Sequence, residues 1–333
     1  MTTDPHQRHM MRVAKRQGFE VSDVTIDADG HDHVTYTWGG RSIGIMSGCY
    51  YPDLTEKVDA LCRDKGKTKA LLGRLDIPTP RSWSFAPGSD LGAVRTELER
   101  FMTTSRVSGG RYVCKPEVGA HGCDVIMGLE TVEELMARIE RGLQAGAVII
   151  EEQVQGRDVR MHVIGRKVVA VCRRRPAWVV GDGRSTIALL IAEKAKIVAG
   201  HNPQNRLEAD DETLRLLADR GLSLDDVPAA GEEVPVKRIA NISTGGTAID
   251  VTDTAHPGYG EWARRIGDAL DLDIFAIDVI APDERADPLA GAAVVLEVNS
   301  APQWLHHTFS ERRTHDIAGM VLCFLFDRPY PLE

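Results

Sequence analysis

The sequence lacks the short motifs that mark several large classes of protein. Its six cysteines include no CxxC pair and no histidine partners at the spacing of a zinc site, so we expect reduced thiols. The phosphate-binding pattern GxxxxGK[ST] and the dinucleotide pattern GxGxxG are both missing. No apolar run approaches the roughly 20 residues of a membrane span, and the N-terminus has no apolar core of a secretory signal. These absences predict a cytoplasmic protein without membrane contact, in which any metal has oxygen ligands.

Positive charge is also scarce. The formal net charge is −9 over 333 residues, which argues against nucleic acid as a partner because binding phosphate backbones needs a basic surface. The exception is the run Cys172-Arg173-Arg174-Arg175, which fits either a solvated strand end or a functional basic site. The length of the chain predicts two or three lobes.

The order of apolar patterns and breakers predicts three regions. A short helix, three strands and the hairpin turn Gly39-Gly40 come first, and helical spacing from Leu54 to Leu75 follows until Pro78 ends it. Next come strands around a helix, and then further strands interrupted by a charged helical stretch from Leu189 to Arg220. We therefore divide the chain into a small N-terminal α/β region, a smaller α+β lobe and a larger α+β lobe, at 1–77, 78–155 and 156–333.

Three polar residues lie inside apolar strands near the C-terminus. Asp278 interrupts IFAIDVIA, whereas Glu297 and Asn299 lie two apart in VVLEVNS and therefore leave the same face of a strand. A carboxylate among Ile and Val is costly unless a cation neutralises it. Two carboxylates and an amide oxygen suit Mg²⁺ that bridges nucleotide phosphates. The alternative is that each residue lies alone on a solvated strand face.

Features typical of a nucleotide site occur upstream. Lys115 closes the strand RYVCKP immediately before a loop with Gly119 and Gly122, where an amine and backbone N–H groups could approach phosphates. Lys65 lies in a charged helical segment, and such segments usually face water. The strand and hinge from Val148 to Val154 offer backbone groups and acids to an adenine.

Together these segments resemble the ATP-grasp superfamily in order and separation. The resemblance runs over about residues 60 to 305, through DKGKTKALLGRLDIPTP, VCKPEVGAHG, IIEEQVQGRDVR, RRPAWVVGDG, ANISTGGTAIDVTD, FAIDVIAP and LEVNSAP. The strings NISTGGTAIDVTD and RRPAWVVGDG resemble the ATP-grasp module of cyanophycin synthetase and of bifunctional glutathione synthetase. The resemblance implies an ATP-grasp fold, in which two α+β lobes hold the nucleotide, and a homodimer.

The resemblance also implies roles for individual residues. Those implied to bind ATP are Lys65, Lys115, Gly119, His121, Gly122, Glu151, Glu152, Val154 and Asp158. Those implied to act where the substrates meet are Arg160, Arg174, Asn241, Thr244, Gly245 and Gly246. Two Mg²⁺ ions, with Mn²⁺ as the alternative ion, would be held by Asp278, Glu297 and Asn299. Within the first set, Glu151 would receive the adenine amine and Asp158 would bind the ribose.

Three departures from the family pattern modify these expectations. The phosphate loop GNHGxGV of the family reads GAHGCDV here, and the acid Asp124 would repel phosphate or reach the metal. The family's NxxPG ends here in Gln303, so Gln303 and Trp304 would reshape the acceptor pocket. Neither a glutamate–cysteine ligase domain nor a Mur-ligase-like domain accompanies the module, so we expect neither relative's complete reaction.

The expected activity is that of an ADP-forming carbon–nitrogen ligase. It would join a small amino-acid or peptide-like carboxylate donor to an amine acceptor through an acyl-phosphate. A phosphotransferase and a catalytically silent nucleotide-binding regulator are the alternatives. Such a ligase needs no Ser/His/Asp arrangement, so His306, His307 and His315 are expected at the surface or in packing. Tyr50 and Tyr51 end an apolar strand, where they either contact substrate or pack under the next helix.

Overall fold

The computed structural model describes residues 4–105, 110–119, 124–201, 205–291 and 293–330. Within these residues there are four sheets, and every strand runs antiparallel to its neighbours. With the helices that cover them, the sheets form an α+β architecture, as the sequence predicts. No helix in the described ranges combines the length and the apolar character needed to cross a bilayer.

The N-terminal region contains one helix, a three-stranded sheet and two further helices. The first helix begins where the Asp4 side chain accepts hydrogen bonds from the backbone N–H groups of His6 and Gln7. The sheet has the order β1-β2-β3, and Gly39-Gly40, both with positive φ, join the last two strands. The elements are α1 (Pro5–Arg16), β1 (Glu20–Ile26), β2 (Asp32–Trp38), β3 (Arg41–Met46), α2 (Glu56–Arg63) and α3 (Lys65–Arg74).

The single helix predicted from Leu54 to Leu75 is wrong. Helix α2 ends and α3 begins at Asp64, whose φ of −89° and ψ of 104° are not helical. The Asp64 carboxylate accepts a hydrogen bond from the backbone N–H of Lys67 at 2.9 Å and so caps α3. The break makes Lys65 the first residue of a new helix.

A four-stranded sheet with the order β4-β7-β5-β6 forms the middle of the chain. Helices α4 and α5 pack on it around a buried cluster that includes Leu98, Leu135 and Ile139. Helix α5 begins with a capping box, in which the Thr131 and Glu134 side chains each accept from the other's backbone N–H. The elements are β4 (Ser82–Phe85), α4 (Leu91–Thr103), β5 (Tyr112–Pro116), β6 (Ile126–Leu129), α5 (Val132–Leu143) and β7 (Val148–Glu152).

The C-terminal part is built on a five-stranded sheet with the order β12-β9-β8-β13-β14. A small unit of two strands and two helices, with its own buried cluster, is inserted between β9 and β12, so the predicted helical stretch from Leu189 to Arg220 is in fact two helices. The elements are β8 (Arg157–Ile164), β9 (Lys167–Arg175), β10 (Trp178–Val180), α6 (Ile187–His201), α7 (Asp211–Ala218), β11 (Glu233–Pro235), β12 (Thr247–Asp250), α8 (Tyr259–Leu270), β13 (Ile274–Ala281), β14 (Val294–Asn299), α9 (Leu305–Thr308) and α10 (Ile317–Leu325).

The two faces of the five-stranded sheet have different neighbours. Val159, Met161 and Val163 of β8 pack with α8 and with residues of α2 and α3. The N-terminal sheet lies over the other face, where its residues share a buried cluster with Trp304 and with α10. Residue 77 is therefore not a border between separate cores, and the proposed division into three parts stays a prediction.

Candidate functional site

Strand pairing brings acidic and basic side chains to one face of the five-stranded sheet. Residues directly opposite each other in antiparallel strands project from the same face. Cys172 of β9, Arg160 of β8, Asp278 of β13 and Glu297 of β14 are successive partners across four strands. We call these four residues the central row. The predicted acids therefore do not lie alone on solvated strands.

Two arginines converge on the buried Asp278. Arg160 Nη1 lies 2.9 Å and 3.0 Å from the two carboxylate oxygens of Asp278. Arg174, opposite Asp158 on β8, places Nη2 at 3.2 Å from Asp278 Oδ2 and at 2.7 Å from Asp158 Oδ1. Strand alternation sends only Arg174 of the three consecutive arginines to this face, whereas Arg175 pairs with Glu233 at 2.5 Å.

Glu297 is the acid of the central row without an ion pair to an arginine, as far as the described residues show. The Asn299 side chain donates from Nδ2 to Asp278 at 3.3 Å and to Glu297 at 3.4 Å. Burial, reinforced by the neighbouring Asp278 carboxylate, raises the pKa of Glu297 to about 7. Burial also opposes the ionisation of Asp278, but Arg160 and Arg174 outweigh it and hold the pKa of Asp278 at about 2. Asp278 is therefore ionised beside its two arginines, whereas burial and the Asp278 charge oppose the ionisation of Glu297.

A second charged group, which we call the lysine wall, consists of Lys65, Lys69, Lys115 and Glu151. Lys115 Nζ on β5 lies 2.7 Å from Glu151 Oε2 on β7, and Lys69 Nζ on α3 lies 3.1 Å from Glu151 Oε1. Burial lowers the pKa of Lys69 to about 8, although Glu151 opposes that shift. Lys69 is not among the site residues predicted from the sequence. The one available signal was its spacing of four residues from Lys65, which puts both amines on one face of α3.

Lys65 connects this wall with the central row. Its Nζ donates to the backbone carbonyl of Gly119 at 3.1 Å. Burial and the charge of Lys115 lower the pKa of Lys65, whereas Glu297 and Glu151 act to raise it. Lys65 therefore interacts electrostatically with a lysine of one group and a carboxylate of the other.

The acids predicted to bind adenine and ribose are engaged in ion pairs. Both oxygens of Glu151 contact lysines, Asp158 contacts Arg174, and Glu152 Oε1 lies 3.5 Å from Arg81 Nη1. Val154 follows β7 and is half-buried. These positions do not test the predicted nucleotide contacts, which stay predictions.

The sequence is similar to that of several known proteins. No model of a known protein family matches the sequence. The cyanophycin synthetase of Trichormus variabilis is 35% identical over 276 residues, which are 81% of this chain and 29% of that protein. The glutathione biosynthesis bifunctional protein of Mannheimia succiniciproducens is 28% identical over 277 residues, which are 78% of this chain and 35% of that protein. This chain thus spans about a third of these relatives.

A solved structure extends the similarity to the fold. The bifunctional glutathione synthetase of Pasteurella multocida superposes with a TM-score of 0.66 at 23% identity, over 96% of this chain and 44% of that one. The chain belongs to the ATP-grasp superfamily. The predicted ATP-grasp fold and the predicted resemblance are both confirmed.

In this ATP-grasp protein, the predicted floor residues form a tight turn beside the end of β9. The backbone N–H of Gly246 donates to the carbonyl of Asn241 at 3.0 Å, and a Cβ at Gly246 would lie 2.7 Å from that oxygen. Gly245 has a φ of 104°, and a Cβ there would lie 2.5 Å from the Leu207 side chain. The turn alone requires both glycines, so their role toward substrate stays a prediction.

The residues after β14 divide between the site and the core. The Gln303 carbonyl accepts a hydrogen bond from Arg160 Nη2 at 3.4 Å and so touches the central row. Trp304 is fully buried, donates from Nε1 to Gly48 O at 2.9 Å and meets the His6 ring edge-on at 5.1 Å. The expectation that Trp304 reshapes an acceptor pocket is therefore wrong, because its ring fills the core beneath α1.

The predicted phosphate loop is only partly described. Gly119 supplies the carbonyl that Lys65 contacts. His121 and Gly122 lie outside the described residues. Asp124 is exposed and has a φ of 56°, a left-handed conformation that Asp tolerates better than most side chains.

The aromatic and histidine alternatives are settled by burial. Tyr51 is buried, and its hydroxyl donates to Gly48 O at 3.1 Å, which supports packing rather than substrate contact. His306, His307 and His315 are all buried, so the surface option is wrong. His315 Nε2 lies 2.7 Å from Asp250 Oδ1.

Proposed function

We propose that the chain is an ATP-dependent ligase that joins a carboxylate to an amine through an acyl-phosphate and releases ADP and phosphate. The observation that carries the proposal is that Lys65 interacts electrostatically with both Lys115 and Glu297, while Glu297 lies beside Asp278 and Arg160 in the central row. We infer that these groups line one cleft. Phosphoryl transfer requires alignment of the reactants and neutralisation of phosphate charge, and both walls of this cleft supply charged groups. The names of the relatives, cyanophycin synthetase and glutathione synthetase, support a synthetic reaction.

The chemical reason for ATP is the poor leaving group of a carboxylate. A carboxylate oxygen attacks the γ-phosphorus and ADP leaves, which converts that oxygen into part of a good leaving group, phosphate. The amine then attacks the carbonyl carbon, phosphate departs and the amine loses a proton. Water must be kept from the acyl-phosphate, and Gly119, whose carbonyl accepts a hydrogen bond from Lys65, would lie next to it.

In this proposal the lysine wall binds the nucleotide. Lys65 and Lys115 would contact the phosphates, and Glu152 and Val154 would lie along the adenine. Since both oxygens of Glu151 contact lysines, we assign it first to holding Lys115 in place, and contact with the adenine amine comes second. Asp158 would reach the ribose from its place beside Arg174.

The acids of the central row fit Mg²⁺. Asp278, Glu297 and Asn299 offer hard oxygen donors from one face of two neighbouring strands. Because burial and Asp278 raise the pKa of Glu297 to about 7, a bound cation would stabilise its ionised carboxylate. When bound, Mg²⁺ would neutralise phosphate charge. We propose two ions at these residues, with Mn²⁺ as a substitute.

The two arginines of the site would hold the reacting carboxylate. Arg174 bridges Asp158 and Asp278, and Arg160 is fixed by Asp278 and by the Gln303 carbonyl. Guanidinium groups held in this way keep their orientation and can stabilise the charge that develops during transfer. The turn with Asn241, Gly245 and Gly246, beside β9, would form the floor where donor and acceptor meet.

Substrate class, assembly and location rest on the named relatives and on the cysteines. We propose a small amino-acid or peptide-like donor and an amine acceptor, because the relatives are named for the synthesis of cyanophycin and of glutathione. We also propose a homodimer, which the resemblance implies. A cytoplasmic location is proposed because the five described cysteines are all buried free thiols.

The test compares two lysines of one helix. Lys65 faces the cleft, whereas Lys67 is exposed and pairs with Asp64 at 2.9 Å. Amine-dependent ADP release should fall by about 100-fold or more in kcat/KM for ATP in Lys65→Ala, an effect of about 3 kcal/mol. Lys67→Ala should stay within about twofold of the parent protein. Equal losses in the two variants, or ADP release that no amine stimulates, would count against the ligase.

A further inference from the structure

A second group of potential metal ligands lies at one end of the central row. The Cys172 thiol and the imidazoles of His306 and His307 each offer a donor atom, and these three atoms lie within 4.8 Å of one another. Cys172 belongs to β9, whereas both histidines belong to the short helix α9, which packs against β9. All three residues are buried. The fold therefore assembles a sulfur and two nitrogens that are far apart in the sequence.

Several ring nitrogens in and beside this group lack a hydrogen-bond partner in the described part of the chain. Both ring nitrogens of His307, both of the adjacent His162 and Nε2 of His306 are buried without a hydrogen-bond partner. An unpaired buried polar atom costs about 1 to 3 kcal/mol, so several in one place call for a ligand. The His162 ring meets that of His307 edge-on, with their centroids 5.7 Å apart.

The protonation states also suit a metal. Burial, followed by the charges of nearby groups, lowers the pKa of His306 and of His307 well below 6.5, so both are neutral imidazoles with a free lone pair. Burial raises the pKa of Cys172 to about 12, so the thiol would lose its proton to solvent only as the metal binds.

The chemistry of the donor set selects the ion. A thiolate with two imidazoles suits Zn²⁺, whereas Mg²⁺ prefers oxygen ligands such as those of Asp278 and Glu297. Zinc ligands in a tetrahedral site lie about 3.3 to 3.7 Å apart, given zinc–ligand bonds of about 2.0 to 2.3 Å. Donor atoms up to 4.8 Å apart would close by about 1 Å, a change that side-chain rotation can supply.

We propose that Cys172, His306 and His307 bind a zinc ion, with His162 or a water molecule as the fourth ligand. This site is separate from the oxygen ligands at the other end of the central row. The proposal does not depend on the ligase reaction, because it is tested by metal content and absorption rather than by turnover.

The experiment uses the full chain, reduced and stripped of metal, in excess Mg²⁺ so that the oxygen ligands are occupied. Zinc is added and unbound ion removed, and elemental analysis should find about one zinc per chain. Cobalt(II) then serves as the spectroscopic probe, since a thiolate ligand gives a sulfur-to-cobalt charge-transfer band. Cys172→Ser should lose this band, and its zinc content per chain should fall at least about tenfold.

Two further variants keep the test decisive. His307→Gln should also lose zinc and is examined with Cys172→Ser by circular dichroism to confirm folding; His306→Gln replaces either one that fails to fold. Cys323→Ser is the matched control, because Cys323 is equally buried but its thiol donates to Oε1 of Gln17, the residue that follows α1. Parent protein that retains no zinc, or a cobalt band that persists in Cys172→Ser, would show that the cluster is only packing.

Discussion

Replacing Glu297 by Gln tests the central row in the absence of metal. The pKa of Glu297 is about 7 in the folded chain, against an ordinary 4.5. As pH rises from 4.5 to 7 the unfolded chain ionises first, so the folded state loses stability over that window. The difference corresponds to about 3 kcal/mol at pH 8, and partial exposure of the side chain reduces it to about 2 kcal/mol. Gln has the same shape without the charge, so metal-free Glu297→Gln should be more stable than the parent protein at pH 8.

The assay is urea unfolding at pH 5.5 and pH 8 with a chelator present. The gain of about 2 kcal/mol at pH 8 should shrink at pH 5.5, where most of the Glu297 carboxyl is protonated in the folded chain. Mg²⁺ should stabilise the parent protein at pH 8 but not the variant, and the variant should lose Mg²⁺-dependent ADP release. Glu311→Gln, at an exposed acid, is the control and should show none of these changes. A variant that is less stable than the parent protein at pH 8, or that keeps near-normal turnover at low Mg²⁺, would refute the reasoning.

Substitutions at two further residues test the lysine wall and the core. Lys69→Met removes one of the two cations that contact Glu151 and should lower the free energy of unfolding by about 2 kcal/mol. The loss is smaller than for a sole buried partner because Lys115 remains, and an unchanged urea midpoint would contradict the ion pair. Tyr51→Ala should cost about 3 kcal/mol or more, and Tyr51→Phe about 1 kcal/mol, with little effect on KM for ATP or substrate. A selective rise in substrate KM for Tyr51→Ala would instead restore the substrate-contact interpretation.

The parts of the site that could be predicted are those that strand periodicity controls. An acid within IFAIDVIA and the ExN spacing of VVLEVNS place their side chains on one face, and the observed pairing of Asp278 with Glu297 agrees. The alternation of Arg174 with its neighbours follows the same rule. The order of these segments resembles that of the ATP-grasp superfamily, and this resemblance predicted the fold.

What could not be predicted depends on contacts between distant segments. Nothing in the charged segment around Lys69 indicates that its amine would be buried against Glu151 of β7. Trp304 follows β14, yet its ring lies beneath α1 because the N-terminal sheet covers that end of the large sheet. The same long-range packing brings Cys172 close to His306 and His307. This proximity could not be predicted, because the three residues do not follow the local spacing of a zinc motif.

The most direct test of the proposed reaction follows one oxygen atom. A donor acid that supports amine-dependent ADP release is labelled with ¹⁸O in its carboxylate, and the products are analysed by mass spectrometry. If the carboxylate attacks the γ-phosphorus, one labelled oxygen must leave with phosphate when the amine displaces it. The account predicts labelled inorganic phosphate in equal amounts with ADP and an amide. Label in AMP, or label retained in a stable phosphorylated product, would contradict it.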